Sequence, residues 1–504
     1  MRSLNAPRTK TGCWTCRARK IKCDETKPQC AQCRPRNRDC QYGHRPRRTR
    51  RHGTTASPLP PPLIAPADLR PSSATLPPAT STSTELPYGI QSMDWPLPLT
   101  EVDKQAIQHY VDDVVPRMVL KSPRWSTYSY VLFMCTQHPM LAHLLLAFSI
   151  RDMMEGRGGD TTTAALEHYQ GALSLFIWHL RHPAVQSWVT FPALWLFILY
   201  EQTYGDDPRV LQAHLRGLHD MIRSDGSSIL SLSVDTSRAE EPYSRYRVPR
   251  EFLNRMALWT VHYDARASTF GLDGGIIDLL NERYPGSITA MCETSKDGLR
   301  VAWGPEYPAA EDLWDAQIDP LWSLDHRSVM LRFKLSRLEH AGEDVDPSAM
   351  RGLGYELKAL ETEFSPFISL ASSRALERST RLSNTCAAVA NFFALVVLYD
   401  RLMYDIQSPV VSSILPVIAS LHEYEGDSYL WHVAWALFVV AFETNDPIHQ
   451  AWILERFTHM QKNGRNMGRA RSLLESLFLE KRKSGGRVRY SDWIRDGRFP
   501  HFMI

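Results

Sequence analysis

Six cysteines crowd into residues 13–40, and their order repeats. Cys13-x2-Cys16-x6-Cys23 is followed, after six residues, by Cys30-x2-Cys33-x6-Cys40. A shift of 17 residues lays Cys13-Trp-Thr-Cys16-Arg17-Ala-Arg19 over Cys30-Ala-Gln-Cys33-Arg34-Pro-Arg36, so the halves agree beyond the cysteines. So short a segment cannot bury enough apolar surface to hold itself together. Its fold has to be built on the sulfurs.

The opening residues hold no apolar stretch of the kind a secretory signal carries, so the expectation is a reducing compartment, with thiolates on metal rather than disulfides. In a Cys-x2-Cys pair the two intervening residues let one turn aim both sulfurs at one ion. A single tetrahedral zinc takes four ligands and leaves two sulfurs over. Two zincs need eight ligand places, which six thiolates supply when two of them bridge, and no histidine lies in the span to alter the count. The spacing therefore predicts a binuclear site with two Zn(2+) per chain. A disulfide knot, one structural zinc with spare cysteines and a thiolate metal store are the competing readings. The first lacks a secretory context, and the last has no use for the surrounding arginines.

Those arginines divide the chain. Residues 1–52 carry 4 Lys and 12 Arg against Asp24, Glu25 and Asp39, a net +13 in a protein whose total is +3. A basic head on an acidic body points to a polyanion held by the head and excludes little else.

The stretch from Cys13 to Cys40 resembles the fungal binuclear zinc cluster DNA-binding domain. The resemblance rests on Cys16-Arg17-Ala-Arg19-Lys20-Ile21-Lys22-Cys23-Asp24, then Lys27-Pro28-Gln29-Cys30. It implies that Cys13, Cys16, Cys23, Cys30, Cys33 and Cys40 are the zinc ligands, with Cys13 and Cys30 bridging, and that Pro28 shapes the turn between halves. It also implies that a short helix over Arg17 to Lys22 enters the major groove of double-stranded DNA. There Lys20, with Arg19 beside it, would read a CGG-like triplet, because guanine shows two acceptors, O6 and N7, on that edge. Arg17, Lys22, Arg34, Arg36 and Arg38 are expected on phosphates, which position the domain without reading sequence. The expected domain spans residues 10–42.

Residues 43–52, ending His44-Arg-Pro-Arg-Arg-Thr-Arg-Arg-His52, form a basic arm with the composition of a nuclear import signal or a DNA-backbone contact. Residues 53–98 then hold 11 prolines among 46 residues and only four charges, the composition of an extended, disordered tether. No sustained heptad occurs in it, so pairing of two copies would fall to the body.

From residue 99 to 495 the pattern is helical. Thr100 with Asp103 is a capping pattern ahead of Ile107, Tyr110, Val111 and Val114. Asp160 is expected to cap a helix to Arg181 whose stripe is Ala165, Leu166, Tyr169, Leu173, Phe176 and Leu180. Pro192 should start an apolar helix ending near Gly205. Further helices are expected at 208–223, 250–269, 324–341, 347–364, 376–404, 408–421 and 428–443, and Asp446-Pro447 opens one to about Met460. The apolar runs Phe191–Tyr200 and Cys386–Tyr399 are too short for a membrane span and read as buried helices, the second interrupted by Asn391. The predicted class is thus mostly α: a small zinc cluster, a linker and a large all-helical body.

Several stretches of that body resemble the fungal-specific transcription factor domain. They are Ala165–Leu173, Leu199-Tyr-Glu201 with His214–Leu218, Trp435–Glu443 with Arg456, and a weaker one from Trp259 through Asp264 to Gly271. The resemblance implies a regulatory role, in some relatives with a small-molecule effector, and no pocket residues are assignable. Cys135, Cys292 and Cys386 read as plain buried thiols, and the 18 histidines show no metal-ligand spacing. No P-loop, dinucleotide fingerprint, Gly-x-Ser-x-Gly or His-Glu-x-x-His occurs, so the expectation is not an enzyme. The leading expectation is a nuclear transcription factor acting on RNA polymerase II promoters. The alternative is a partner-recruiting co-regulator whose head gives only general DNA affinity. Both fit DNA and transcriptional co-regulators as partners and neither requires a membrane.

Overall fold

The computed structural model describes residues 94–504 except 120, 156–161, 183–186, 231–247, 342–345, 374–378, 485–487, 489 and 500; before these it describes residues 13, 16, 22–27, 29–34 and 40. The chain divides into two compact units, Met1–Thr80 and Ser81–Ile504. The basic arm 43–52, the expected linker up to 93 and the capping Asp160 lie outside the described residues. The second unit contains no β-strand among the described residues.

Its first helix, α1 (Glu101–His109), starts as the sequence predicts. The Asp103 amide donates to Thr100 Oγ1 at 3.2 Å and the Thr100 amide to Asp103 Oδ2 at 2.8 Å, a complete capping box. The helix then widens into a π turn, Tyr110–Val114, before a last α turn, Val115–Met118. Pro116 has no N–H for the Asp112 carbonyl, and the Val115 amide reaches back to Tyr110 instead.

Helices α2 (Thr127–Cys135), α3 (Pro139–Glu155), α4 (Thr162–Arg181), α5 (Thr190–Tyr204), α6 (Pro208–Leu230) and α7 (Arg250–Ser268) build the first apolar core, with α8 (Ile276–Arg283), α9 (Ser287–Ser295) and α10 (Gly298–Trp303) at its side. The α4 stripe differs from expectation. Ala165, Ala172, Phe176 and His179 are buried, Tyr169 and Leu173 half-buried, and Leu166 and Leu180 exposed. Helix α3 comes so close that a Cβ on Gly171 would meet the His143 ring at 3.1 Å, so small residues face it and the bulkier leucines are left outside. Helix α5 is apolar and buried on nearly all sides. Pro192 is its third residue rather than its first, tolerated because first-turn amides have no helical acceptor. Asp152 on α3 ties this half together: it accepts from His109 Nε2 at 2.7 Å, Arg117 at 2.6 Å and the Tyr204 hydroxyl. Burial opposes its ionisation, but these donors win and hold its pKa below the usual value.

The second core is made by α11 (Ala309–Ala341), α12 (Pro347–Glu363), α13 (Ser365–Ser372), α14 (Thr380–Tyr404), α15 (Val411–Glu425), α16 (Ala434–Glu443), α17 (Pro447–Met460), α18 (Arg465–Ser484) and α19 (Tyr490–Arg495). Helix α11 begins at Ala309, not 324, and runs straight through Pro320 for 33 residues. It serves both cores: Val329 and Phe333 belong to the first, Leu324, Leu331 and Leu335 to the second. The expected helix 428–443 divides into a 3-10 stretch, Asp427–Val433, and α16. Asp446 caps α17 with Pro447 at its first position, as predicted. Helix α14 is long and apolar enough to cross a bilayer by length and composition, yet most of it is buried inside the protein. Asn391 within it donates to the His432 carbonyl at 3.0 Å. Phe270, Phe438, Tyr490 and Phe502 stack at ring distances of 4.4 to 6.2 Å.

Candidate metal centre and nucleic-acid interface

The six sulfurs gather as the ligand count requires. Cys13, Cys16, Cys23 and Cys30 form one group, and Cys13, Cys30, Cys33 and Cys40 a second; within each, all Sγ atoms lie within 4.8 Å of one another. The groups share Cys13 and Cys30. Sulfur separations of 3.8 Å (Cys13–Cys30), 3.8 Å (Cys13–Cys33) and 3.6 Å (Cys16–Cys30) are far beyond a bond between sulfurs. A zinc–sulfur bond of about 2.3 Å gives a tetrahedron edge of about 3.8 Å, so the donor set fits two zinc ions in both chemistry and spacing.

The 17-residue repeat reappears as geometry. The Cys13 amide points at Cys23 Sγ at 3.4 Å, and its counterpart, the Cys30 amide, points at Cys40 Sγ at 3.2 Å. Further amides of Cys16 and Glu25 face Cys13 and Cys23 sulfurs, each at 3.4 Å. Glu25 reaches this pose with φ at 61°, the left-handed region. In the second half, Cys33 and Arg34 amides close a turn on the Cys30 carbonyl at 2.9 and 3.0 Å. N–H groups aimed at sulfur stabilise thiolate charge.

Cys13, Cys16, Cys30 and Cys33 are fully buried, sealed chiefly by one another. Desolvation in this packing raises the Cys13 and Cys16 thiols and pushes Cys30 up to about 12; neighbouring sulfurs add to the rise at Cys13 and Cys30, whereas Cys13 and Cys30 oppose it at Cys16. Thiols crowded this way become thiolates together when a divalent cation neutralises them.

Asp24 joins the two halves. Its Oδ1 accepts from the Ala31 amide at 2.9 Å and its Oδ2 from the Thr26 hydroxyl. The Thr26 bond, then the Ala31 amide, holds its pKa below the usual carboxylate value. This clasp was not anticipated; an Asp directly after Cys23 with Thr two residues on is its only sequence trace.

Of the residues expected on DNA, Lys22 and Arg34 are described, and both are exposed beside the cluster. Arg17, Arg19, Lys20, Arg36, Arg38 and the turn residue Pro28 lie outside the described residues.

In the body, three stretches singled out separately in the sequence meet. Tyr169 bonds His214 at 3.0 Å and reaches Glu201, and Phe197 stacks on the His214 ring at 5.0 Å. Burial pushes His214 down to about 4 and Glu201 up, so both resist carrying charge in this core. Glu443 pairs with Arg401, while Arg456 pairs with Asp427 at 3.1 Å and Glu455 at 2.7 Å. Asp264 accepts the Ile276 and Ile277 amides at 2.9 and 3.1 Å and so caps α8 from another helix. The histidines do pair, His143 with His168 at 2.8 Å and His262 with His326 at 2.9 Å, but as hydrogen-bonded rings. Cys135, Cys292 and Cys386 are buried thiols raised by desolvation.

Residues 11–49 match the family model of the Fungal Zn(2)-Cys(6) binuclear cluster domain, and residues 105–261 that of the Fungal specific transcription factor domain. No curated protein and no solved structure matches the chain. Both families are transcription factor domains rather than enzymes. The cluster domain, its two zinc ions and the helical domain behind it are those of a fungal DNA-binding transcription factor.

Proposed function

We propose that the chain is a nuclear, sequence-specific regulator of RNA polymerase II promoters that reads a CGG-like triplet through its zinc cluster. Cys13, Cys16, Cys23, Cys30, Cys33 and Cys40 would hold the two ions, with Cys13 and Cys30 common to both sulfur groups. Lys20, helped by Arg19, contacts guanine edges; Arg17, Lys22, Arg34, Arg36 and Arg38 hold phosphates. The basic run 44–52 carries the protein into the nucleus. The observation behind this reading is a six-sulfur cluster, repeated about Cys13 and Cys30, with cations following both Cys-x2-Cys pairs.

Binding-site selection with the full zinc-loaded chain tests it. A defined triplet is expected, and Lys20→Ala should cost about 1–3 kcal/mol and flatten the preference within it. Arg38→Ala should weaken every sequence alike and lower the salt dependence. A featureless selection, or identical profiles for both variants, would favour a co-regulator that acts by recruiting partners. The selected site also reads stoichiometry: one triplet for a single copy, two for copies joined through the body.

A further inference from the structure

A cavity of about 370 Å³ opens between the two apolar cores of the body, lined by members of both. One face of α7 supplies Arg255, Trp259, His262, Tyr263 and Arg266, spaced so that all project on the same side of the helix. Helix α11 faces it with Trp322, Asp325, Ser328, Val329 and Arg332.

Five cationic side chains and one acidic side chain line the cavity, with the main chain of Ile504 beside them. Arg117 and Lys121 are committed to Asp152 and Asp315, at 2.6 and 2.7 Å. Arg332 is committed to the Thr269 hydroxyl, the Arg266 carbonyl and the main-chain oxygen of Ile504. Among the described residues, Arg255 donates to the Thr127 hydroxyl and the Ser295 carbonyl, and its guanidinium lies over the Trp322 ring at 4.7 Å. The Arg266 guanidinium makes no hydrogen bond or ion pair among the described residues. Its field is nonetheless felt across the cavity, by Tyr128, His262, Tyr263, Asp325, Arg332 and His432. Burial raises the pKa of the one acidic side chain, Asp325, and in the same way lowers those of Arg255, Arg332 and His432, the last to about 3.

Among the described residues, Nε1 of Trp435, Nε2 of His432 and Oγ of Ser328, on residues that line the cavity, are buried with no hydrogen-bond partner. Buried polar atoms left this way are costly. The remaining walls are flat and aromatic, with Trp195, Trp259 and Trp431 among them. A site of this size, apolar with a few convergent polar groups, suits a small molecule.

We propose that this cavity binds a small planar organic anion, its carboxylate held by Arg266 and Arg255 and its ring by the tryptophan walls. The site belongs to the body alone and stands whether or not the head reads a CGG-like triplet. Because its walls come from both cores, an occupant ties the two halves to each other.

The test uses the full zinc-loaded chain and two matched probes, 2-naphthoate and its neutral amide, followed by tryptophan fluorescence and thermal melting. Naphthoate should bind saturably and raise the melting temperature, and the amide should bind about tenfold or more weakly. Arg266→Met should weaken naphthoate by a similar factor while leaving the ligand-free melting temperature about unchanged, since the half-buried guanidinium has no hydrogen-bond or ion-pair partner among the described residues. Ala388→Phe, which fills the cavity from α14, should abolish binding of both probes. Equal affinity for acid and amide, an unchanged affinity in Arg266→Met, or no saturable binding at millimolar naphthoate overturns the proposal.

Discussion

In the head, the buried side chains among the described residues are cysteines packed against one another. In the body they are Trp195, Phe438, Phe457 and their neighbours, packed in two cores joined by α11. The body is held chiefly by apolar area, which needs no bound ion. The head is held by ligand chemistry, which exists only while metal is bound and thiols are ionised. One chain thus has two stabilities answering to different variables.

The largest effect should come from zinc. Structural zinc supplies about 10–16 kcal/mol in small domains of this kind, so a strong chelator should unfold residues 10–42 and abolish DNA binding. The body's melting transition should not move. DNA binding that survives complete zinc removal would sink the assignment. Shared and unshared sulfurs sharpen the contrast: Cys30→Ser should lose both ions, whereas Cys40→Ser leaves the set of Cys13, Cys16, Cys23 and Cys30 and should keep one. Zinc content per chain measures this.

A charge in the body comes next. Arg401 and Glu443 are both buried and bind each other across α14 and α16. Glu443→Ala strands the guanidinium and should cost about 3–5 kcal/mol in urea denaturation, with zinc content unchanged. Arg401→Met with Glu443→Leu should recover most of it.

The smallest effect is set by protons. Burial pushes His214 and His326 down to about 4 and His432 to about 3. Their folded pKa values lie below the unfolded value of about 6.5, so as pH falls through that value the unfolded chain takes up protons the folded chain refuses. Stability is therefore full above about pH 7 and declines toward pH 4, by about 1 kcal/mol per histidine at pH 6. Asp264, raised to about 6 by burial, works in the opposite sense: its contribution is present below its unfolded pKa and lost as pH rises through 6. Denaturation at about pH 7.5 and about pH 6 thus reads mainly the histidines. A His432→Asn variant with an unchanged pH slope would remove that residue from the account.

The head was legible because metal spacing is a local property: each ligand's partner lies within 30 residues, and counting sulfurs sufficed. Helices were legible where caps mark them, as at Thr100 and Asp446. What sequence withheld is pairing between distant elements. Periodicity gave α4 a leucine-rich face, but the close approach of α3 at Gly171 selected the small residues beside it and exposed Leu166 and Leu180. The helix expected over 324–341 extends back to Ala309, because packing on both sides carries α11 through Pro320. Arg266 looks like one more charge on an amphipathic helix; only the tertiary structure sets it in a cavity.

Family and folding unit do not share borders in this chain. The regulatory match ends at residue 261, partway along α7, while the first core is completed by Val329 and Phe333 of α11 and by Met503. A fragment cut at the match would carry Trp195 and its surroundings with one wall missing, and the bared surface would be a site for aggregation. Because α11 is common property of both cores, neither half has a boundary at which it could be inherited, expressed or degraded alone.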